Sequence, residues 1–207
     1  MSNSSAEFQK KQLIPLGIDD FKEIISEKYL YIDKTLLIKE FWDDKAKVTL
    51  VTRPRRFGKT IVLSMLRYFF EKTETSHAYL FENSNIWKHE EFRNILGTFP
   101  VISITFKDVK YNTWEKSYAK LKSIIKLEVS RNLTPFLSLL LPEEKLTYNE
   151  LMNFTQSLDE NQLLINFTDS LKFITQVLER VHQKKTIILI DEYDTPITYG
   201  YSCGLAP

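Results

Sequence analysis

The apolar positions of this chain follow two rhythms that alternate along it. Val48-Thr49-Leu50-Val51-Thr52, Pro100-Val101-Ile102-Ser103-Ile104-Thr105-Phe106 and Lys185-Thr186-Ile187-Ile188-Leu189-Ile190 are short, β-branched runs. Such runs predict strands buried in a sheet. Between them the spacing is helical. Apolar residues at 62, 65, 66, 69 and 70 predict a helix over Thr60 to Phe70, greasy enough to lie against a sheet. Trp114 to Val129 predicts an amphipathic helix with Lys116, Lys120, Lys122 and Lys126 on its solvated face. Phe167, Leu171, Ile174, Val177, Leu178 and Val181 predict another over Asn166 to His182. Near the start, Asp20 followed by Glu23 has the form of a capping box for a short helix at Phe21 to Ile25. Asp33 or Thr35 caps a further helix from Thr35 to Trp42, with Leu36, Leu37, Phe41 and Trp42 on one face. Pro135 and Pro142 divide Leu133 to Asn153 into shorter helices. Strands alternating with helices predict an α/β fold with a parallel sheet.

Composition narrows the picture without deciding it. A chain of 207 residues with 43% hydrophobic positions can bury a core and is one large domain or a domain and a half. Lys and Arg number 28 against 27 Asp and Glu, so no global charge draws it to nucleic acid or anionic lipid. One cysteine, Cys203, excludes an internal disulfide framework and a cysteine-cluster zinc site. Residues 1–12 read as a polar tail without the apolar centre of a secretory signal. The longest greasy stretch, Leu133 to Leu141, is interrupted by Thr134, Pro135 and Ser138, far short of the ~20 residues that span a bilayer. A cytoplasmic protein without a membrane partner is expected, with a domain over 13–203.

Two strand ends carry chemistry. In open α/β sheets, ligands bind at the carboxyl ends of strands. The first end is Thr52-Arg53-Pro54-Arg55-Arg56-Phe57-Gly58-Lys59-Thr60. A strand, a turn and a helix in that order aim backbone N–H groups at one anion. Gly58 allows close approach of the backbone, Lys59 supplies a point charge, and the Thr60 hydroxyl suits Mg²⁺. The full pattern G-x-x-x-x-G-K-[ST] starts with Gly, where this chain has Arg53. Arg53, Arg55 and Arg56 either add charge to a phosphate pocket, with Arg55 and Arg56 nearest the apex, or pair with acids on neighbouring loops. The second end is Ile187-Ile188-Leu189-Ile190-Asp191-Glu192-Tyr193-Asp194. Asp191 suits a metal-bound water and Glu192 a general base. Alone, two acids at a strand end are equally at home facing solvent; after Gly58-Lys59-Thr60 they complete a nucleotide site. Asp194 pairs with a loop arginine or starts the turn toward Pro196, and Tyr193 is expected in packing. His77, His89 and His182 show no ligand spacing and are expected at the surface, as are Glu90-Glu91 and Glu143-Glu144. The lysine face at 116–126 reads as a solvated face before a nucleic-acid surface.

Four segments in order carry a resemblance: Gly17-Ile18-Asp19-Asp20-Phe21, Tyr31-Ile32-Asp33-Lys34-Thr35, the loop Thr52 to Thr60, and Ile190-Asp191-Glu192-Tyr193-Asp194-Thr195-Pro196. Together they resemble the AAA-ATPase-like domain family of mostly bacterial proteins, from about Leu13 to Pro196. The resemblance implies that Arg53 is a family variation and that the fold is a P-loop NTPase three-layer sandwich with a mostly parallel sheet. It implies ATP and Mg²⁺ as ligands. The expected nucleotide-binding residues are Arg55, Arg56, Phe57, Gly58, Lys59, Thr60 and Ile61. Lys59 and Glu192 are the expected catalytic residues, and Thr60 and Asp191 the metal residues. Residues 14–35 are expected to fold over the nucleotide, with Ile18, Phe21 or Tyr31 as an apolar wall near the base.

Members of that family usually continue past the acidic pair, with more strands, a sensor residue and often a nuclease-like domain. The expectation for this chain is therefore a truncated product, its sheet incomplete at the C-terminal edge. A sensor and an arginine finger would lie beyond it, and nucleic acid would be reached only through a further domain. The leading expectation is an ATP-binding module with Mg²⁺-dependent hydrolysis. The alternatives are a nucleotide-dependent switch, acting on a protein partner or a second copy of the chain without turnover, and an inactive remnant.

Overall fold

Parallel pairing of two strands, β1 (Val101–Thr105) and β2 (Ile187–Asp191), forms the sheet in the computed structural model. Residues 13–52, 54, 57–153 and 160–204 are described, without the side chains of 160–168. The helices are α1 (Phe21–Ser26), α2 (Leu36–Asp44), α3 (Lys59–Phe70), α4 (Glu90–Arg93), α5 (Trp114–Leu133), α6 (Pro142–Met152), α7 (Glu160–His182) and α8 (Thr195–Ser202). Short 3-10 turns occupy Ala78–Leu80, Asn85–Lys88 and Thr134–Leu139. The chain divides into two compact units, one drawn from Met1–Tyr68 and His77–Asn94, the other from Phe69–Ser76 and Ile95–Pro207.

In the first unit, the predicted cap of α1 is present: Glu23 N–H donates to Asp20 Oδ1 at 3.0 Å. The other carboxylate oxygen of Asp20 reaches α3, accepting from the hydroxyls of Ser64 (3.3 Å) and Tyr68 (3.0 Å). Ser64 and Tyr68 stand one turn apart and so share a helix face. Ser64 Oγ also accepts the Phe21 N–H at 2.9 Å. One aspartate thus caps α1 and fastens it to α3. Phe21 is fully buried, stacked on Phe81 at 5.2 Å and edge-on to Tyr31 at 5.4 Å. It is therefore a core residue and is not available as a wall for a nucleotide base. α2 begins at Leu36, with Asp33 acting just ahead of it: its carboxylate accepts from the Thr35 N–H (2.8 Å), the Thr35 hydroxyl (2.7 Å) and the Asn85 N–H (2.7 Å).

Val48 to Thr52 does not form a strand. Val48 is 86% exposed and Leu50 61%, and no ladder bond holds the segment among the described residues. β-propensity reflects fit to a pleated, half-buried surface, and among the described residues no neighbouring strand offers this run a ladder.

In the second unit, the register pairs Val101 with Ile187 and Thr105 with Asp191. Ile102 and Ile104 pack with Ile125, Val129 and Leu133 of α5 and with Ile174, Val177 and Leu178 of α7. Each such side chain contributes about 1.5–3 kcal/mol when fully buried. β2 is buried unevenly: Leu189 and Asp191 are buried, whereas Ile188 and Ile190, on its other face, are exposed. Pro135 and Pro142 sit in the first turns of the 3-10 segment and of α6. They start these helices, because proline at the first position loses no helical bond. α5 and α7 run longer than predicted, to Leu133 and from Glu160.

A partly buried ionic cluster fastens α5 to β1. Arg131 pairs with Glu71 and, at 2.7 Å, with Glu128, and donates to the Val101 carbonyl at 2.9 Å. Glu128 also accepts from the Ser103 N–H at 3.1 Å. Burial works against the Arg131 charge, but Glu128 and Glu71 outweigh it and raise its pKa. Glu144 departs from the solvated face expected of it. It accepts from Arg180 at 2.5 Å and from the Leu141 N–H at 2.8 Å, while Glu143 is exposed.

Candidate functional site

Gly58 opens α3. Its φ of +78° lies in the left-handed region that a residue with Cβ avoids. Its carbonyl accepts the Val62 N–H at 3.0 Å, the first bond of the helix. Lys59 and Thr60 are thereby the first two helical residues, half-buried, with Ile61 following. The first turn of a helix directs its N–H groups outward along the axis, and the macrodipole places positive charge there. Phe57, before the turn, is 58% exposed. Arg53, Arg55 and Arg56 lie outside the described residues.

Asp20 grips α3 at Ser64 and Tyr68, as above. Lys34 also lies near the turn: a Cβ built on Gly58 would lie 3.4 Å from Lys34 Nζ. Tyr31, just before, accepts the Lys34 N–H at 3.2 Å and directs its own hydroxyl to Met65 Sδ at 3.6 Å. Burial raises the Tyr31 pKa to about 12, so the phenol stays protonated. With its ring against Phe21 and its hydroxyl on Met65, Tyr31 is a brace for α3. Ile18 is half-buried.

In the other unit, Asp191 is the last residue of β2 and only 7% exposed. Its carbonyl accepts the Phe106 N–H at 3.0 Å and its Oδ1 the Glu192 N–H at 3.1 Å. Glu192 turns the chain away from the sheet with φ +53°. Its Oε2 accepts the hydroxyl of Thr195, a buried residue, at 3.1 Å. Asp194 sits at the N-cap position of α8, and its carbonyl accepts the Thr198 N–H at 2.9 Å; it starts the helix that contains Pro196. Tyr193 is 55% exposed, against its expectation as packing.

The chain matches the family described as predicted AAA-ATPase over residues 15–202. It belongs to that family. No curated protein and no solved structure matched it. As an AAA-ATPase-like chain it has a mixed helix-and-strand architecture with a small parallel sheet. Among the described residues, no helix of this AAA-ATPase-like chain is long and apolar enough to cross a membrane.

Two residues escaped the sequence reading: Lys34 beside Gly58, and Thr195 on Glu192. Both lie inside motifs that were visible, but what each side chain touches depends on how the backbone turns. The histidines are each partly covered: His77 lies edge-on to Tyr68 at 5.0 Å, and His182 edge-on to Phe136 at 5.0 Å.

Proposed function

We propose that this chain binds ATP with Mg²⁺ and hydrolyses it to ADP and phosphate, with 13–203 working as a P-loop NTPase domain of the three-layer, parallel-sheet type. The observation that carries the reading is the turn at Gly58, which delivers Lys59 and Thr60 as the first residues of a long helix. Family membership over residues 15–202 supports it. The N–H groups of the first turn, with the Lys59 ammonium, take the phosphate oxygens, and Arg55, Arg56, Phe57 and Ile61 complete the binding segment. Thr60 and Asp191 offer a hydroxyl and a carboxylate, hard oxygen donors of the kind Mg²⁺ takes alongside phosphate. The metal, when bound, neutralises charge on the phosphates.

Glu192 is the base. It orients a water and accepts its proton as the water oxygen bonds to the γ-phosphorus and the bond to the ADP oxygen breaks. Its hydrogen bond to Thr195 aims the carboxylate. Nucleotide binding and phosphate release by purified chain test the proposal. Lys59→Ala is expected to abolish binding. Glu192→Gln is expected to keep binding and to lose roughly 10²–10⁴ in turnover. Binding without phosphate release in the wild type would assign the chain to nucleotide-dependent switching. Failure of the folded wild type to bind Mg²⁺-ATP would reject the proposal.

A further inference from the structure

Lys34 holds its ammonium beside the glycine of the phosphate turn. A Cβ on Gly58 would stand 3.4 Å from Lys34 Nζ, and both residues belong to the same compact unit. The backbone under Lys34 is fixed on both sides. Its N–H donates to Tyr31 Oη at 3.2 Å, and Thr35 is locked onto the Asp33 carboxylate at 2.7 and 2.8 Å. Asp33 is itself tied to Asn85 N–H at 2.7 Å. Among the described residues, no ion pair joins the Lys34 ammonium to a carboxylate. A lysine in a helix-linking turn ordinarily swings into solvent, since its long stem has much rotamer entropy to lose. Here it lies instead beside the glycine turn that leads into Lys59, and a cation at such a turn attracts an anion bound there.

We propose that Lys34 is a second cation for the polyphosphate of the bound nucleotide, delivered to the Gly58 turn by the clamped segment Tyr31–Thr35. The inference rests on the nucleotide reading of Gly58-Lys59-Thr60. It assigns a binding task to a residue outside the P-loop, and a reason for the rigidity of the segment that carries it.

The test is Mg²⁺-ATP binding by the full chain in wild type, Lys34→Ala, Lys34→Arg and Lys59→Ala, across a salt titration, with melting temperatures of the nucleotide-free proteins. Loss of one charge-assisted contact is expected to weaken binding by Lys34→Ala roughly tenfold. The same variant should flatten the fall of affinity with salt. Lys34→Arg should recover most of the affinity, and the nucleotide-free melting temperature should stay at the wild-type value. Wild-type affinity in Lys34→Ala, with Lys59→Ala impaired, would overturn the role of Lys34 and leave the nucleotide reading standing. Equal losses in the Ala and Arg variants, or a fall in melting temperature that tracks the loss, would mark a packing role and overturn it too. No binding by folded wild type would remove the nucleotide reading and this inference together.

Discussion

Glu192 and Thr195 hold each other twice: hydroxyl to carboxylate at 3.1 Å, and Thr195 N–H to Glu192 carbonyl at 3.0 Å. The pair closes a turn around a glutamate at φ +53°. A residue with Cβ pays about 1–2 kcal/mol in that region and glycine does not. Glu192→Gly and Glu192→Ala both remove the carboxylate, so their difference isolates the backbone term. Glu192→Gly is expected to be the more stable by about 1 kcal/mol in denaturant unfolding, with neither variant releasing phosphate. Equal midpoints would show that the turn carries no such strain.

Gly58 predicts the reverse sign. At φ +78°, with Lys34 Nζ 3.4 Å from the position of a Cβ, Gly58→Ala is expected to cost about 1 kcal/mol or more and to weaken nucleotide binding. Gly200, inside α8 with nothing within 4 Å of its Cβ position, is the control. Gly200→Ala is expected to stabilise by about 0.5–1 kcal/mol, because alanine suits a helix interior and glycine does not. Thermal melts of the two variants should move in opposite directions.

Arg131 stands between two buried carboxylates, Glu71 and Glu128. Removing only the cation leaves both acids without their partner. Arg131→Met is expected to cost about 3–5 kcal/mol. Combining it with Glu71→Gln and Glu128→Gln should recover a large part of that loss, since the uncompensated charges go with the arginine. Urea unfolding of the single and triple variants decides it; a triple variant no better than the single would show that packing of the stem dominates.

Burial, and then the charge of Lys72, lower the pKa of His182 below its ordinary 6.5. The folded chain therefore binds this proton less readily than the unfolded chain. The resulting stability is complete above pH 6.5 and is lost as pH falls from there through the lowered folded value. Asp33 and Glu144 are also lowered, from 3.8 and 4.5, and lose their contributions only in a more acid window. Melting temperature between pH 7 and 5 should fall with a slope that His182→Asn reduces. An unchanged slope would place the dependence elsewhere.

Local signals in the sequence were legible because their physics is local. Asp20 caps α1 because the N–H it satisfies is three residues away, and Gly58 opens α3 because the turn needs a residue without Cβ. The periodicity of β1, α3, α5 and α7 reports burial directly, whatever the partner. Pro135 and Pro142 divide the segment after α5 into shorter helices, as expected, and each sits in the first turn of the piece it starts. The acids at 191 and 192 were identifiable as a strand end by four apolar residues before them, and their burial and hydrogen bonds were not.

By itself, the sequence determined α1, α2, α3, α5 and α7 in outline, the Asp20 cap, the apolar runs of β1 and β2, and the glycine that opens α3. Only the tertiary structure decided that Val48–Thr52 forms no strand, that Phe21 is core, that Glu144 is paired, and that Lys34 comes to Gly58 and Thr195 to Glu192. The reason is one of range. A cap or an apolar stripe is satisfied within a few residues, whereas a strand needs a ladder partner and a side chain a neighbour that only the folded backbone can bring to it.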